Sequence, residues 1–311
     1  FEVGHRCVDD GIEVIVMHGL LAQLASDTAL RTNILGSKRI VTAPASNPFL
    51  IAMIAQEKPL LIVTSSSRGA EDLAEDLRNL HPTVFEFPAW ETLPHERLSP
   101  RSDTVAKRIQ TLDGLAALDK SENPIVVAPI RAVIHRFIAS LAREPLRTIE
   151  LGQEVPLTNL IEHFTALSYV RTDLVEKRGE FAVRGGIVDV FLPLADYPVR
   201  IDFFGDEIEE LMYFDISDQR TTKPVVGKLS IIPCRELLIT DAIKERAESI
   251  KSRFPGAIEV LEKISQGISV DGMESLIPFL VDEQETIFDR ISPHSTVIFI
   301  EEERTRSRTA D

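Results

Sequence analysis

The chain has 311 residues, with 34 Lys and Arg against 49 Asp and Glu, a net charge of −15. At roughly 150 residues per domain that length makes about two domains with real cores, and the composition, 44% hydrophobic and 27% charged, is that of an ordinary folded soluble protein. The acidic balance excludes a nucleic-acid grip spread over the whole surface, because phosphate binding needs clustered cations.

Two cysteines, Cys7 and Cys234, are too few for a disulfide framework and too far apart in sequence for a zinc ligand set, which points to a reducing, cytoplasmic setting. The apolar stretch 14–25 is interrupted by His18 and Gln23 and follows Asp9, Asp10 and Glu13, so it reads neither as a signal peptide nor as a membrane span. The chain opens on Phe1, has its first methionine at Met17 and closes on a charged run, and is expected to be a piece of a longer polypeptide.

From about residue 18 to 140, strand-type runs at 39–43, 60–65, 83–87 and 124–129 alternate with helix-period runs at 47–56, 68–80 and 103–118. Such alternation predicts a parallel sheet covered by helices. Beyond residue 140 the character changes. A helical pattern at 157–167 precedes short β-type runs at 169–175, 180–183, 187–191, 199–204 and 208–214, with turns at Arg184-Gly185-Gly186 and Gly205-Asp206. After Arg220 come a strand at 228–232, a helix at about 241–253 and a strand at 296–300, a third part expected to complete the first sheet.

Four groups of residues invite a chemical reading. The loop Thr42-Ala43-Pro44-Ala45-Ser46-Asn47-Pro48 stands where a nucleotide-binding α/β domain carries its phosphate loop, yet it has neither Gly nor Lys, and its two prolines remove amides that would face a phosphate. It reads instead as a helix start, with Ser46 as the cap and Pro48 in the first turn. The acidic group Asp202, Asp206, Glu207, Glu209 and Glu210 alternates with Ile201, Phe203, Ile208 and Leu211, which assigns the carboxylates to a solvent face and a turn rather than to a magnesium site. No His pair has metal-ligand spacing and no Gly-x-Ser-x-Gly elbow occurs, so neither a metal site nor a catalytic residue is nominated. Trp90, the single tryptophan, lies between Pro88 and Pro94 in what reads as a rigid anchored loop rather than a base-stacking platform.

The fourth group, residues 169–191, reads YVRTDLVEKRGEFAVRGGIVDVF and concentrates Arg171, Lys177, Arg178 and Arg184 in an acidic chain. If 169–175 and 180–191 pair as strands, Arg171 and Arg184 share a sheet face suited to the carboxylates of a partner. The alternative is a solvated strand face neutralised by Asp173, Glu176, Glu180 and Asp189.

The motifs FPAWETLPHERLSP at 87–100, RGEFAVRGGIVDVF at 178–191, YPVRIDFFGDEIEEL at 197–211 and FDISDQRT at 214–221 resemble the amino-terminal region of the bacterial transcription-repair coupling factor family, and QGISVDGME at 266–274 is similar to EGIAVDGME of its actinobacterial members. The second and third motifs are also similar to the damage-recognition protein UvrB, whose intact phosphate loop and aromatic hairpin have no counterpart at 42–48 or 87–100. The resemblance implies a split, degenerate P-loop-type α/β domain, 1–137 and 219–311, flanking an inserted β-rich α+β domain, 138–218. It implies that the inserted domain binds UvrA, through Arg171 and Arg184 with Phe191, Arg178 and Ile187 nearby. It further implies a chain without enzymatic activity or cofactor, while later segments of the family's full-length proteins bind RNA polymerase and hydrolyse ATP with magnesium to move on duplex DNA. A monomer is expected separately, because the sequence shows no heptad and no long apolar edge.

Overall fold

The computed structural model describes residues 7–9, 12–14 and 26–308, apart from 94–95, 120 and 144–145. Most of the 14–25 stretch and, in the tryptophan loop, Pro94 and His95 therefore lie outside the described residues. The chain divides into two compact units, one of Phe1–Ala89, Gly114–His135 and Thr286–Asp311, the other of Trp90–Asp113 and Arg136–Glu285.

The first unit is built on a parallel sheet. Strands β3 (Leu60–Thr64), β4 (Val84–Glu86), β5 (Ile125–Pro129) and β16 (Thr296–Phe299) lie in the order β16-β3-β5-β4, and each neighbouring pair is parallel. The two central strands, LLIVT and IVVAP, are buried along their whole length, as uninterrupted apolar runs in a covered parallel sheet must be. Helix Ser67–Arg78 is capped by Ser66, whose hydroxyl accepts from the Gly69 amide, and it buries Ala70, Leu73, Ala74 and Leu77 along one stripe. Helix Asn47–Ala55 buries nearly all its apolar residues in the same core. A small antiparallel pair, β1 (Cys7–Asp9) with β2 (Ile12–Val14), precedes them.

Two local expectations fail here. Residues 39–43 form no strand: Val41 is 89% exposed and nothing among the described residues pairs with the segment, so the β-branched propensity of three residues finds no ladder to join there. Ser46 stands at the helix start but makes no side-chain cap, because its own backbone is helical, continuing the tight turn Pro44–Ser46, whereas a capping hydroxyl requires an extended residue.

In the second unit, six strands run in the order β13-β12-β11-β10-β9-β8: β8 (Val170–Arg171), β9 (Glu180–Arg184), β10 (Ile187–Val190), β11 (Val199–Phe204), β12 (Glu207–Phe214) and β13 (Thr221–Pro224). All neighbours are antiparallel except β8 and β9. Alternation puts Phe181, Val188, Val190, Val199, Ile201 and Leu211 into a core closed by Leu160 and Phe164 of helix Leu157–Ala166. Two short ladders complete the unit, β7 (Arg147–Ile149) with β14 (Leu229–Ile231) and β6 (Phe137–Ile138) with β15 (Gln284–Glu285). Those ladders keep 219–285 with the second unit, so of the expected third part it is β16 that joins the parallel sheet.

The tryptophan loop is held by buried carboxylates. Trp90 Nε1 donates to Glu236 Oε1 at 2.9 Å, and Arg108 Nε of helix Ser102–Ala117 donates to the same oxygen at 2.5 Å. Neither side chain of that ion pair has any solvent exposure, and the Arg108 guanidinium also lies 5.8 Å from the Phe137 ring centroid. Further along the loop, Ser99 Oγ donates to Glu274 Oε2 at 2.5 Å and accepts from the Gly272 amide at 2.9 Å. Gly272 has φ of +78°, and a Cβ there would lie 2.8 Å from the Arg97 carbonyl carbon, so no other residue fits the QGISVDGME turn.

Replacing Arg108 by Met leaves the Glu236 carboxylate buried without its counterion. The expected cost is about 3–5 kcal/mol of folding free energy in urea unfolding; a loss below about 1 kcal/mol would show that the pair is not what holds this part of the unit.

Candidate protein-interaction face

The hairpin β9–β10 closes at the pair Arg184 and Ile187 around Gly185-Gly186, with Gly185 at φ of +62°, a conformation glycine takes without strain. Ahead of it, the segment 172–179 folds over the sheet. Glu180 Oε2 accepts from the amides of Glu176 at 2.9 Å and Lys177 at 2.8 Å, and Gly179, at φ of +85°, passes so close to Cys234 that a Cβ would sit 3.1 Å from its sulfur. Beneath the segment, Val175, Ala182, Phe191 and Phe214 form a small apolar cluster of their own.

The cations expected at this face are exposed, and of the acids expected to neutralise them Asp189 and Glu180 have their carboxylates engaged in other contacts, while Asp173 and Glu176 are exposed. Asp189, 3% exposed, is held bidentately by Arg200 at 2.7 and 2.9 Å, which raises the pKa of that guanidinium. The Glu180 carboxylate is used by the two backbone amides, and Asp173 meets Arg184 through its backbone carbonyl, which accepts from Nη2 at 2.6 Å. Arg178 donates from Nε to the Ala195 carbonyl at 3.1 Å, lies 5.5 Å from the Phe191 ring centroid and comes only within 3.9 Å of Asp103. The side chains of Arg171 and Lys177 make no hydrogen bond or ion pair among the described residues.

The face is not arranged as the pairing of 169–175 with 180–191 predicts. β8 has two residues only and runs parallel to β9, with Arg171 opposite Phe181. Because alternate residues face opposite sides, Arg184, three positions after Phe181, belongs to the other face of the sheet. The extended run is cut short because the chain leaves the ladder after Arg171 to build the 172–179 fold. Arg171 is thus an edge residue, while Arg184 and half-buried Ile187 form the hairpin end. Phe191, 6% exposed, is the apolar base on which Arg178 rests.

Pattern reading missed the pair Asp189 and Arg200. The available signal was an aspartate between two valines in a run too apolar to be solvated, facing an arginine one strand away in register. In the acidic group, Asp202 is half-buried and the other four carboxylates are exposed, while Ile201, Phe203, Ile208 and Leu211 are buried. At the 42–48 loop, Thr42, Ala43 and Pro44 are exposed, Ser46 and Asn47 half-buried, and the Ser46 amide is taken by the Ala43 carbonyl at 2.9 Å.

The residues supporting the face include one thiol. Burial pushes Cys234 up to about 12, and it also raises the neighbouring Tyr169 phenol, which donates to the Ile232 carbonyl at 2.9 Å.

Comparisons place this region among known proteins. Residues 148–237 match the family model of the UvrB interaction domain. Along 99% of its length the chain is 38% identical to the transcription-repair-coupling factor of Mycobacterium tuberculosis (strain CDC 1551 / Oshkosh), over 26% of that protein. It is 34% identical to that of Myxococcus xanthus over 83% of the chain and 23% of the relative, and 27% identical to that of Escherichia coli (strain K12) over 75% and 21%. The chain thus spans about a quarter of the length of the curated relatives it matches.

A Cys7→Ser chain tests the packing under the face through its remaining thiol. A thiol whose folded pKa is raised contributes stability that is complete below the unfolded value near 9.0 and is lost as pH rises toward about 12. Ellman's reagent at pH 8 is expected to leave Cys234 unmodified until the chain unfolds, and unfolding free energy to fall between pH 9 and 11. Rapid native labelling would contradict the burial.

Proposed function

We propose that this chain, homologous over nearly its full length to the transcription-repair-coupling factors, is the module through which such a factor binds UvrA and so recruits nucleotide excision repair to stalled RNA polymerase. The observation that carries the reading is the set of four exposed cations at 171–184: of the four neighbouring acids Asp189 is held by Arg200 and Glu180 by two backbone amides, so the cations outnumber the exposed carboxylates of Asp173 and Glu176 and an excess of positive charge is left for a partner. Arg184 and Ile187 at the hairpin end supply a guanidinium fork beside an apolar contact, Arg178 is held over the Phe191 ring, and Arg171 adds charge at the sheet edge. Such arginines suit acidic groups on a protein surface and are frequent hot spots. The match of 148–237 to the UvrB interaction domain and the name shared by the relatives support the same assignment.

In this reading the chain is an interaction module and not an enzyme, and it acts in the cytoplasm as a monomer. Its parallel-sheet unit is a P-loop-type domain whose loop, Thr42, Ala43, Pro44, Ser46 and Asn47, has lost the Gly and Lys that hold phosphate, so it takes no nucleotide or metal cofactor. ATP and magnesium, duplex DNA and RNA polymerase are assigned to the parts of the parent that make up the remaining three quarters of its relatives. Among the described residues no helix is long and apolar enough to cross a membrane.

Calorimetric titration with UvrA tests the site. The parent chain is expected to bind saturably, and Arg171→Glu and Arg184→Glu each to lose about 2 kcal/mol or more of binding free energy, with circular dichroism unchanged. Folded Arg184→Glu binding as tightly as the parent would remove the site from this face, and ATP binding by the chain would favour a UvrB-class nucleotide-dependent damage-recognition role.

A further inference from the structure

Inside the second unit lies a cavity of about 840 Å³, within the size range of pockets that hold small organic molecules. Ile109, Ile138, Leu141, Leu167, Ile231 and Leu238 make its walls largely aliphatic. Glu236 and His163 line it too, and each carries a buried atom without a hydrogen-bond partner among the described residues, Glu236 Oε2 and His163 Nε2. One other buried side-chain atom among the described residues, on Gln219, shares that condition. Folded proteins leave few buried polar atoms unpaired, so two on the lining of one cavity call for a partner that comes from outside the chain. Glu236 is 2% exposed, and its other oxygen is taken by Trp90 and Arg108.

The geometry points to a binding site for a small uncharged molecule with an apolar body and a hydroxyl or amide donor that reaches Glu236 Oε2. Charge selects the class, since the other ionised side chains on the lining, Arg147, Glu245, Arg246 and Asp282, are two of each sign and none of them is buried. The Glu236 carboxylate already faces the Arg108 guanidinium, so the pair is neutral as a whole. An ammonium ligand would bury a net positive charge, and a carboxylate ligand would set a second anion beside the first. A neutral donor completes the hydrogen bonding and adds no charge. Burial and the nearby Arg147 charge lower the pKa of His163, which keeps that ring neutral and able to meet a second polar group on the ligand. Both unpaired atoms are sealed within the wall, so the donor has to arrive on a body large enough to part the aliphatic side chains around them. The site is separate from the arginine face, since none of Arg171, Arg178, Arg184, Ile187 or Phe191 lines it.

The test is a titration of the 311-residue chain, isotopically labelled, followed by backbone amide shifts, with octan-1-ol as the probe and methanol, octanoate and octylammonium as comparators. Octan-1-ol is expected to give saturable shifts at cavity residues such as Leu141, Leu238 and Ile243, with octanoate and octylammonium at least tenfold weaker and methanol without effect. Leu238→Trp, which fills space from a half-buried wall position, is expected to weaken octan-1-ol at least tenfold with the rest of the spectrum intact. If that variant does not fold, Thr240→Trp, at an exposed lining position, is expected to do the same. No saturable shift with octan-1-ol, octanoate binding equally well, or undiminished binding by the folded tryptophan variant would each overturn the assignment.

Discussion

The Glu236 side chain has no contact with water, and its charge is tolerable only because Arg108 and Trp90 converge on one of its oxygens. Desolvating a carboxylate and a guanidinium costs more than most single interactions return, so the geometry around such a pair admits little variation. Three separate stretches of sequence meet in it: the loop after Ala89, helix Ser102–Ala117 and the segment that follows β14. The second network, Ser99 with Glu274, Arg235 and the Gly272 amide, fastens the far end of the same loop. Together they fix the tryptophan loop as scaffold, which is why its aromatic ring is turned to a carboxylate and not to a ligand.

From this scaffold the proposed interaction face follows by short steps. Arg235 and Cys234 adjoin Glu236 in sequence, Cys234 lies under Gly179, and Gly179 ends the segment that carries Lys177 and Arg178. Burial of Arg200 with Asp189 and of the Glu180 carboxylate against two amides removes acids from the neighbourhood of the exposed cations. A strongly acidic chain thereby presents a local excess of positive charge, because Arg171, Lys177, Arg178 and Arg184 are exposed together while Asp189 is neutralised by Arg200. Rim charges of this kind set association rate and specificity, and the apolar neighbours Ile187 and Phe191 give the arginines something to stand on.

Much of the architecture was legible in the sequence because period and burial coincide. The apolar runs of β3 and β5, the stripe Ala70, Leu73, Ala74 and Leu77, and the alternation through β11 and β12 all locate their elements to within a few residues. Legibility ended where a partner distant in sequence decides the outcome. Residues 39–43 have strand composition and, among the described residues, no strand paired with them, Ser46 has capping chemistry and a backbone already helical, and 169–175 has β-type residues but turns away after Arg171. The pairing of β14 with β7 could not be read from either segment alone. Of the site, the arginines were visible as residues, but their placement on two sides of the sheet depended on a parallel register that composition does not encode.

The central claim is that residues 171–187 form a docking surface for UvrA. Hydrogen exchange of the chain with and without saturating UvrA reads that surface without any substitution. The account predicts slowed exchange concentrated in β8, the 172–179 segment and the β9–β10 hairpin, with the strands of the parallel sheet unchanged. Protection confined to the parallel-sheet unit, or no protection at a UvrA concentration that saturates the parent factor, would contradict it.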